Sequence, residues 1–470
     1  MSPILVWIRR DLRLTDHAAL TAAAASGRPV IPVFIHDQVV AGLGAAPKWR
    51  LGLGVAVFGD ALAGIGSRLI LRRGDALQVL QALLAETGAG AVWWQRAYDP
   101  AAKTRDAAVK SALKDADIDA RSFAGHLLFE PWTVQTKVGG FYKVYTPFWR
   151  AVKDRAVDAA LPPVKAMTPP DTWPSSDNQS DWQMGAAMRR GVSVVSRHVR
   201  VGEAAAQARL ADFIDTRVDD YQLARDIPGI DGTSGLSENL TYGEISPRMI
   251  WHAGMRALHQ GDAGAEIFLK ELVWREFAYH LLHHTPHIAS ANWRPEWDAF
   301  RWNEDETRPD VLAWKQGRTG IEFVDAAMRQ LHVTGLMHNR ARMIVASYLT
   351  KHLMTHWRIG QRFFADHLTD WDPASNAMGW QWAAGSGPDA SPYFRVFNPD
   401  TQLAKFDRDG AYRRRWIAEG QGELSETALE FYDATPKCWG LSPQDVYPTP
   451  VVALDVGRTR ALEAYKGRGF

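Results

Sequence analysis

An α/β domain built on a parallel sheet, followed by a larger all-helical domain, is the fold class that this 470-residue sequence predicts. Three observations carry that expectation. Up to residue 130, short β-rich apolar runs alternate with alanine- and leucine-rich stretches of helical length. From 131 to 197 the pattern loosens among prolines. From 198 to 470 helical periodicity dominates.

In order, Ile4–Ile8, Val30–Ile35, Leu69–Leu71 and Ala91–Trp94 read as strands. Between and after them, Leu20–Ala25, Leu51–Ile65, Leu77–Ala85 and Ala101–Leu113 read as helices. Such an alternation packs as βαβ units around a parallel, Rossmann-like sheet. Gly42 and Gly44 do not complete a GxGxxG after a strand, so the dinucleotide fingerprint is missing. Pro162-Pro163, Pro169-Pro170, Pro174 and the SSDNQSD run mark 131–197 as a long connecting segment. The helical part is broken by loops around Gly229–Gly235 and Arg294–Arg308, and no internal repeat is visible.

Bulk properties narrow the function. The net charge is only +1, so any nucleic-acid contact has to come from a local basic face rather than the whole-molecule field. No stretch approaches the roughly 20 apolar residues of a membrane span. Arginines follow the first apolar run, MSPILVWIRR, without a small-residue cleavage site, so the start does not read as a signal peptide and a cytoplasmic location is expected. Cys438 is the sole cysteine, which excludes an intrachain disulfide and a multi-cysteine zinc site. Twenty tryptophans are a heavy load, for which packing is the default use.

Four segments group residues that can carry chemistry. In KELVWREFA, Lys270–Ala278, Glu271 and Trp274 stand three apart on one helix face. An acid beside an indole can hold a flat, hydrogen-bonding group; alone, the pair reads more simply as a solvent-facing glutamate beside a half-buried tryptophan. In HNRARM, His338–Met343, residues Asn339, Arg342 and Met343 share a face. Asparagine reads heterocycle edges, arginine pairs with phosphate or carboxylate, and methionine gives a soft apolar contact. An ordinary amphipathic helix explains that spacing equally well. In DWDPASNAMGWQW, Asp370–Trp382, two aspartates precede Pro373, where a helix can begin; capping accounts for one and not the other. Asn376 and Trp380 then share a face while Trp382 projects elsewhere. The loop GTSGLS, Gly232–Ser237, suits a phosphate, as do many loops that hold none.

Together and in this order, with VWIRRDLRLTDHAAL at Val6–Leu20 and PYFRVFNPDTQ at Pro392–Gln402, these segments resemble the photolyase/cryptochrome family over essentially the whole chain. The resemblance implies an antenna domain at 1–130, a linker at 131–197 and a catalytic domain at 198–470 that holds FAD in a folded shape. It implies that Tyr221 and the run Thr233, Ser234, Gly235, Leu236 and Ser237 contact the FAD phosphates and ribityl chain. Asp370, paired with Arg342, and Asp372 would contact the flavin and adenosine, and Asn376 would face flavin N5. The activity implied is light-dependent DNA repair: photoexcited, reduced FAD donates an electron to a flipped-out cyclobutane pyrimidine dimer, which splits into two pyrimidines. Glu271 and Asn339 would hydrogen-bond the dimer, with Trp274, Met343 and Trp382 as walls. Trp380, Trp357 and Trp302 match the family's electron-transfer chain, and Arg225, Arg340, Arg395 and Gln402 match positions that grip the DNA backbone.

Within the family, (6-4) photolyases carry two histidines beside the lesion. Here His338 is followed by Asn339 and the later histidine position is Met343, which points to cyclobutane dimers. A blue-light-sensing cryptochrome is the alternative; the retained substrate residues and an end at Phe470 without a long tail favour repair. A generic flavin oxidoreductase would need a nicotinamide site that the sequence does not offer, and neither a nucleophile nor a metal is expected. Methenyltetrahydrofolate is the expected antenna chromophore, although Gly44 and Ala101-Ala102 stand where well-studied relatives place polar folate contacts. Lys48, Trp49 and Arg50 either line an antenna pocket or start a helix. The expected partner is UV-damaged DNA, bound by a monomer with no membrane and no obligate protein partner.

Overall fold

The computed structural model describes residues 1–389 and 394–470, so the Pro392–Gln402 motif begins outside the described residues. Five strands, β1 (Ile4–Ile8), β2 (Val30–His36), β3 (Ile70–Arg73), β4 (Ala91–Gln95) and β5 (Asp119–Phe123), form a parallel sheet in the order β3-β2-β1-β4-β5. Every residue of β1 is buried, because interior strands of a parallel sheet are covered on both faces. That is why it reads as an unbroken apolar run rather than an alternation. The edge strand β5, DARSF, escaped the sequence reading because Ala120 is its one fully buried residue.

Side-chain caps set the helices between the strands. Asp75 accepts from the Gln78 amide at 3.0 Å and Asp99 from the Ala102 amide at 2.9 Å, with Pro100 in the first turn of its helix. The Ala76–Thr87 helix stops on Gly88, whose φ of +64° favours glycine.

The Ala45–Gly64 helix joins the two halves. Arg50 is wholly buried and donates to Glu238 Oε1 at 2.9 Å and to both oxygens of Glu244 at 2.8 and 2.7 Å. Trp49 packs with Val195 and Val199. A side chain at Gly44 would strike the Ala365 carbonyl, so the two backbones touch there. Lys48–Arg50 lie in the first turns of this helix, and Arg50 is consumed in holding the halves together rather than lining an antenna pocket.

Residues 131–197 are not bare connection. Their helix Tyr145–Val152 buries Phe148 and Val152 in the same apolar cluster as Trp251, Phe268 and Phe277. The helical half is organised around Ala265–His284, Glu322–Thr334, Asn339–Ser347, Trp357–His367 and Pro373–Ala384. Asn339–Ser347 starts on His338, whose Nδ1 accepts from the Arg340 amide at 3.2 Å, and runs on into a π-turn over Tyr348–His352. Among the described residues, no helix is long and apolar enough to cross a membrane.

Candidate active site

A cavity of about 710 Å³ opens among the helices Ala265–His284, Asn339–Ser347, Trp357–His367 and Pro373–Ala384. Helical spacing delivers its walls: Glu271 with Trp274, Asn339 with Arg342 and Met343, and Asn376 with Trp380 all reach it. Trp382 reaches it too, from another face of its helix than Asn376 and Trp380. Met378 and Gly379 also line the space, which therefore touches more than one face of the Pro373–Ala384 helix.

The two aspartates before Pro373 differ. Asp372 is the cap: its Oδ1 accepts from the amides of Ala374 at 3.1 Å and Ser375 at 2.8 Å, and its Oδ2 accepts from the Tyr279 hydroxyl. Asp370 accepts from Arg342 Nη2 at 2.7 Å through Oδ2, while its Oδ1 is buried without a partner among the described residues. Trp371, also on the wall, has a buried indole N–H without a partner. Buried polar atoms left open in a cavity wall ask for a polar ligand. Asn376 Nδ2 donates to the Gln361 carbonyl at 3.1 Å, which fixes the amide and leaves its Oδ1 as an acceptor.

Ser234, Leu236, Ser237 and Tyr221 line the opposite side, while Thr233 and Gly235 are held just behind it. Arg217 donates to the Thr233 carbonyl at 3.3 Å and Arg209 to the Gly235 carbonyl at 2.6 Å. Gly235 itself sits at φ +62°, where a side chain would be strained. Sequence reading missed both arginines, since each lies a helix or more away from the loop.

At the mouth, Trp274 lies flat on Tyr145, with ring centroids 3.6 Å apart and planes 8° from parallel. Tyr145 was overlooked because it lies in the segment taken as linker; the aromatic run YTPFW was the available signal. Glu271 accepts from Arg225 at 2.5 Å, and Arg340 pairs with Asp226 at 2.6 Å while covering the Phe406 ring. Arg395 lines the cavity; Arg340 and Gln402 do not. Arg275 and Asp389 were also missed, and both line the wall. Burial pushes the His338 imidazole down to about 4, so this cap is neutral at ordinary pH.

Trp380, 2% exposed, meets the cavity. Trp357 is fully buried and donates to Asn292 Oδ1 at 2.8 Å. Gly360, one turn on, makes room for the first: a Cβ there would lie 2.0 Å from the Trp380 indole. The His356 ring touches both Trp357 and Trp302, at centroid distances of 5.4 and 5.0 Å.

Comparison with known proteins joins these observations. The family model described as DNA photolyase matches residues 4–169, and that of the FAD binding domain of DNA photolyase matches 268–467. The chain belongs to the DNA photolyase family. The deoxyribodipyrimidine photo-lyase of Agrobacterium fabrum is 46% identical, over 99% of this chain and 98% of its own. That of Escherichia coli is 34% identical, over 99% of each. A solved class III photolyase from Agrobacterium tumefaciens superposes with a TM-score of 0.91 at 44% identity, covering 100% of this chain and 98% of its own. A Synechocystis cryptochrome also superposes, with a TM-score of 0.84 at 26% identity over 99% of each chain. Fold alone thus does not separate repair from sensing within this family.

The cavity of this photolyase-family chain fits the FAD that its matched domain is described as binding. The open Asp370 oxygen and the fixed Asn376 oxygen are acceptors of the kind that the ring N–H groups of a reduced flavin need.

Proposed function

We propose that the protein is a light-driven DNA repair enzyme that takes a cyclobutane pyrimidine dimer into the mouth of this cavity and splits it. One observation carries the reading: flavin-side acceptors and a substrate-side wall of Glu271, Trp274, Asn339, Met343 and Trp382 open on one space. Bound FAD, reduced and photoexcited, supplies the electron and takes it back. Everything else falls to the chain. Arg342 and Asp370 would orient the flavin, and Asn376 would accept from its ring N–H; Tyr221 and the run Thr233, Ser234, Gly235, Leu236 and Ser237 would hold the phosphates and ribityl chain, and Asp372, besides capping its helix, would bind the adenosine.

Photolyases extrude their lesion from the stack, at a cost of a few kcal/mol that is least for a damaged pair. Stacking on Trp274, itself backed by Tyr145, offsets that by about 1–3 kcal/mol per base. Asn339 donates to a carbonyl edge of the dimer, Glu271 accepts from its ring N–H, and Met343 and Trp382 keep water from its other sides. Arg225 and Arg340 already hold acids in the free protein, so binding DNA exchanges Glu271 and Asp226 for phosphate. Arg395 and Gln402 complete the rim. Trp380, Trp357 and Trp302 pass electrons inward from the surface, each indole shortening a hop that is slow in one step.

The neutral, capping His338 and an apolar Met343 support cyclobutane dimers over the proton-dependent (6-4) lesion. The 44–46% identity to photolyases, against 26% to the cryptochrome, supports repair over sensing. We take 1–130, 131–197 and 198–470 as antenna domain, linker and catalytic domain, in a cytoplasmic monomer. Methenyltetrahydrofolate as antenna rests on the resemblance alone; the mass of the chromophore released on denaturation decides it. The function itself is tested with an oligonucleotide holding one thymine dimer, incubated with prereduced protein under blue light and in darkness. Repair in light only is expected. No repair with full, reduced FAD overturns the reading in favour of a sensor or of another lesion.

A further inference from the structure

Trp302 has a second set of neighbours that the repair reading leaves unused. A concavity of about 390 Å³ opens against it from the surface, lined by Trp302, Leu353 and Met354 and bordered by Arg301, Arg308 and Arg460. No carboxylate is among its lining residues. Arg308 pairs with Asp310, which does not line it, and Arg460 donates to the His352 carbonyl. Arg301 is exposed and makes no hydrogen bond or ion pair among the described residues. Nearby acids face other groups: Glu306 meets Lys315 and Arg362, and Asp305 accepts from Thr307. Met354 holds φ at +51°, a left-handed conformation rare for a side chain of this kind, just after the π-turn. Strained backbone and π-turns concentrate where a fold shapes a site.

We propose that this concavity docks a small anionic organic reductant, a thiol carrying a carboxylate, which restores Trp302 after an electron has moved inward. The proposal rests on reading Trp380, Trp357 and Trp302 as an electron chain. Once the chain has delivered an electron, the hole rests on Trp302 as an indole radical cation. The docked thiolate gives one electron, the indole returns to its neutral form, and the thiolate becomes a thiyl radical; two such radicals couple to a disulfide. Guanidinium groups concentrate the anion and can grip its carboxylate through paired N–H donors. Trp302 is 8% exposed, so a donor has to enter the concavity to touch the ring.

The test illuminates oxidised holoprotein with 3-mercaptopropionate, neutral 2-mercaptoethanol or cationic cysteamine at one ionic strength, following loss of the oxidised-flavin absorbance. Wild type is compared with an Arg301→Glu, Arg308→Glu variant donor by donor, which cancels the thiols' differing reactivity. Expected is a slowing of roughly tenfold with the anion, the size of one lost charged contact, and none with the other two. Propionate, which cannot donate an electron, is expected to slow the wild type with 3-mercaptopropionate alone. Equal effects on all three donors, or no competition by propionate, overturn the docking site. Trp302→Phe separates the readings: unchanged photoreduction with every donor removes the chain itself, whereas loss there beside charge-blind arginine variants removes only the site.

Discussion

At the carboxyl ends of β1, β2 and β4, where open parallel sheets commonly bind ligands, this chain places ion pairs. Arg9 and Arg105 lie over the Trp7 ring at 4.5 and 4.6 Å, Arg9 pairs with Asp106 at 2.9 Å, and Arg105 pairs with Asp37 at 2.6 Å. Between the helices of the other half it leaves a cavity, a bare carboxylate oxygen on Asp370 and a bare indole N–H on Trp371. Both regions hold arginines and acids close together. In the first each guanidinium reaches an acid, although Trp7 Nε1, Arg9 Nε, His36 Nδ1 and Gln95 Nε2 have no partner among the described residues; in the second a carboxylate oxygen itself is left open in the wall of a large cavity. The fold class would have pointed to the sheet, and the cavity with its open carboxylate oxygen points to the helices.

The largest expected effect lies where the halves meet. Arg50→Met leaves Glu238 and Glu244 buried without their cation and is expected to cost about 3–5 kcal/mol in urea unfolding. A cost below about 1 kcal/mol would mean that water reaches the clasp. Next comes Asp370→Ala, which removes the open acceptor and the partner of Arg342. About 2–3 kcal/mol of flavin binding, one to two orders of magnitude, is expected to go, read as the flavin-to-protein absorbance ratio after dialysis. Arg105→Gln should leave that ratio unchanged, and a fall there would erase the contrast between the regions.

Gly360→Ala drives a methyl into the Trp380 ring and is expected to cost about 1–3 kcal/mol and to slow photoreduction. The last effect is with pH. Lys351 is buried above the Phe394 ring at 3.8 Å, donates only to the Arg395 carbonyl, and is pushed by burial from 10.5 down to about 7. Between about pH 7 and 10.5 the unfolded chain binds the extra proton, so this group's contribution to stability rises with pH through that window. Lys351→Met should flatten the rise in urea titrations across it.

How much was legible follows from where each residue's partners lie. The apolar runs of β1 to β4 and the i, i+3, i+4 sets of Glu271, Asn339 and Asn376 depend on local periodicity, which sequence displays. That one of the two aspartates before Pro373 is a cap was legible for the same reason; that Asp372 is the cap and Asp370 needs another use was settled by the structure. Arg209, Arg217 and Gly360 depend on segments distant in the chain, and nothing local marks them; Tyr145 had only the aromatic run YTPFW to mark it. β5 was lost because an edge strand needs no apolar run. Arg50 shows the converse: its neighbours in sequence allowed a pocket, and two carboxylates nearly 190 residues away settled it.

The central claim is one of place, that repair happens in the helical cavity. Dimer splitting per bound flavin under blue light tests it most directly, in wild type, a Glu271→Ala, Trp274→Ala variant and an Arg9→Gln, Arg105→Gln variant. The account predicts a loss of at least roughly tenfold in the cavity variant, the least that losing one charged hydrogen bond and a stacking surface implies, and wild-type yield in the other. Equal yields in the cavity variant and the wild type would contradict it.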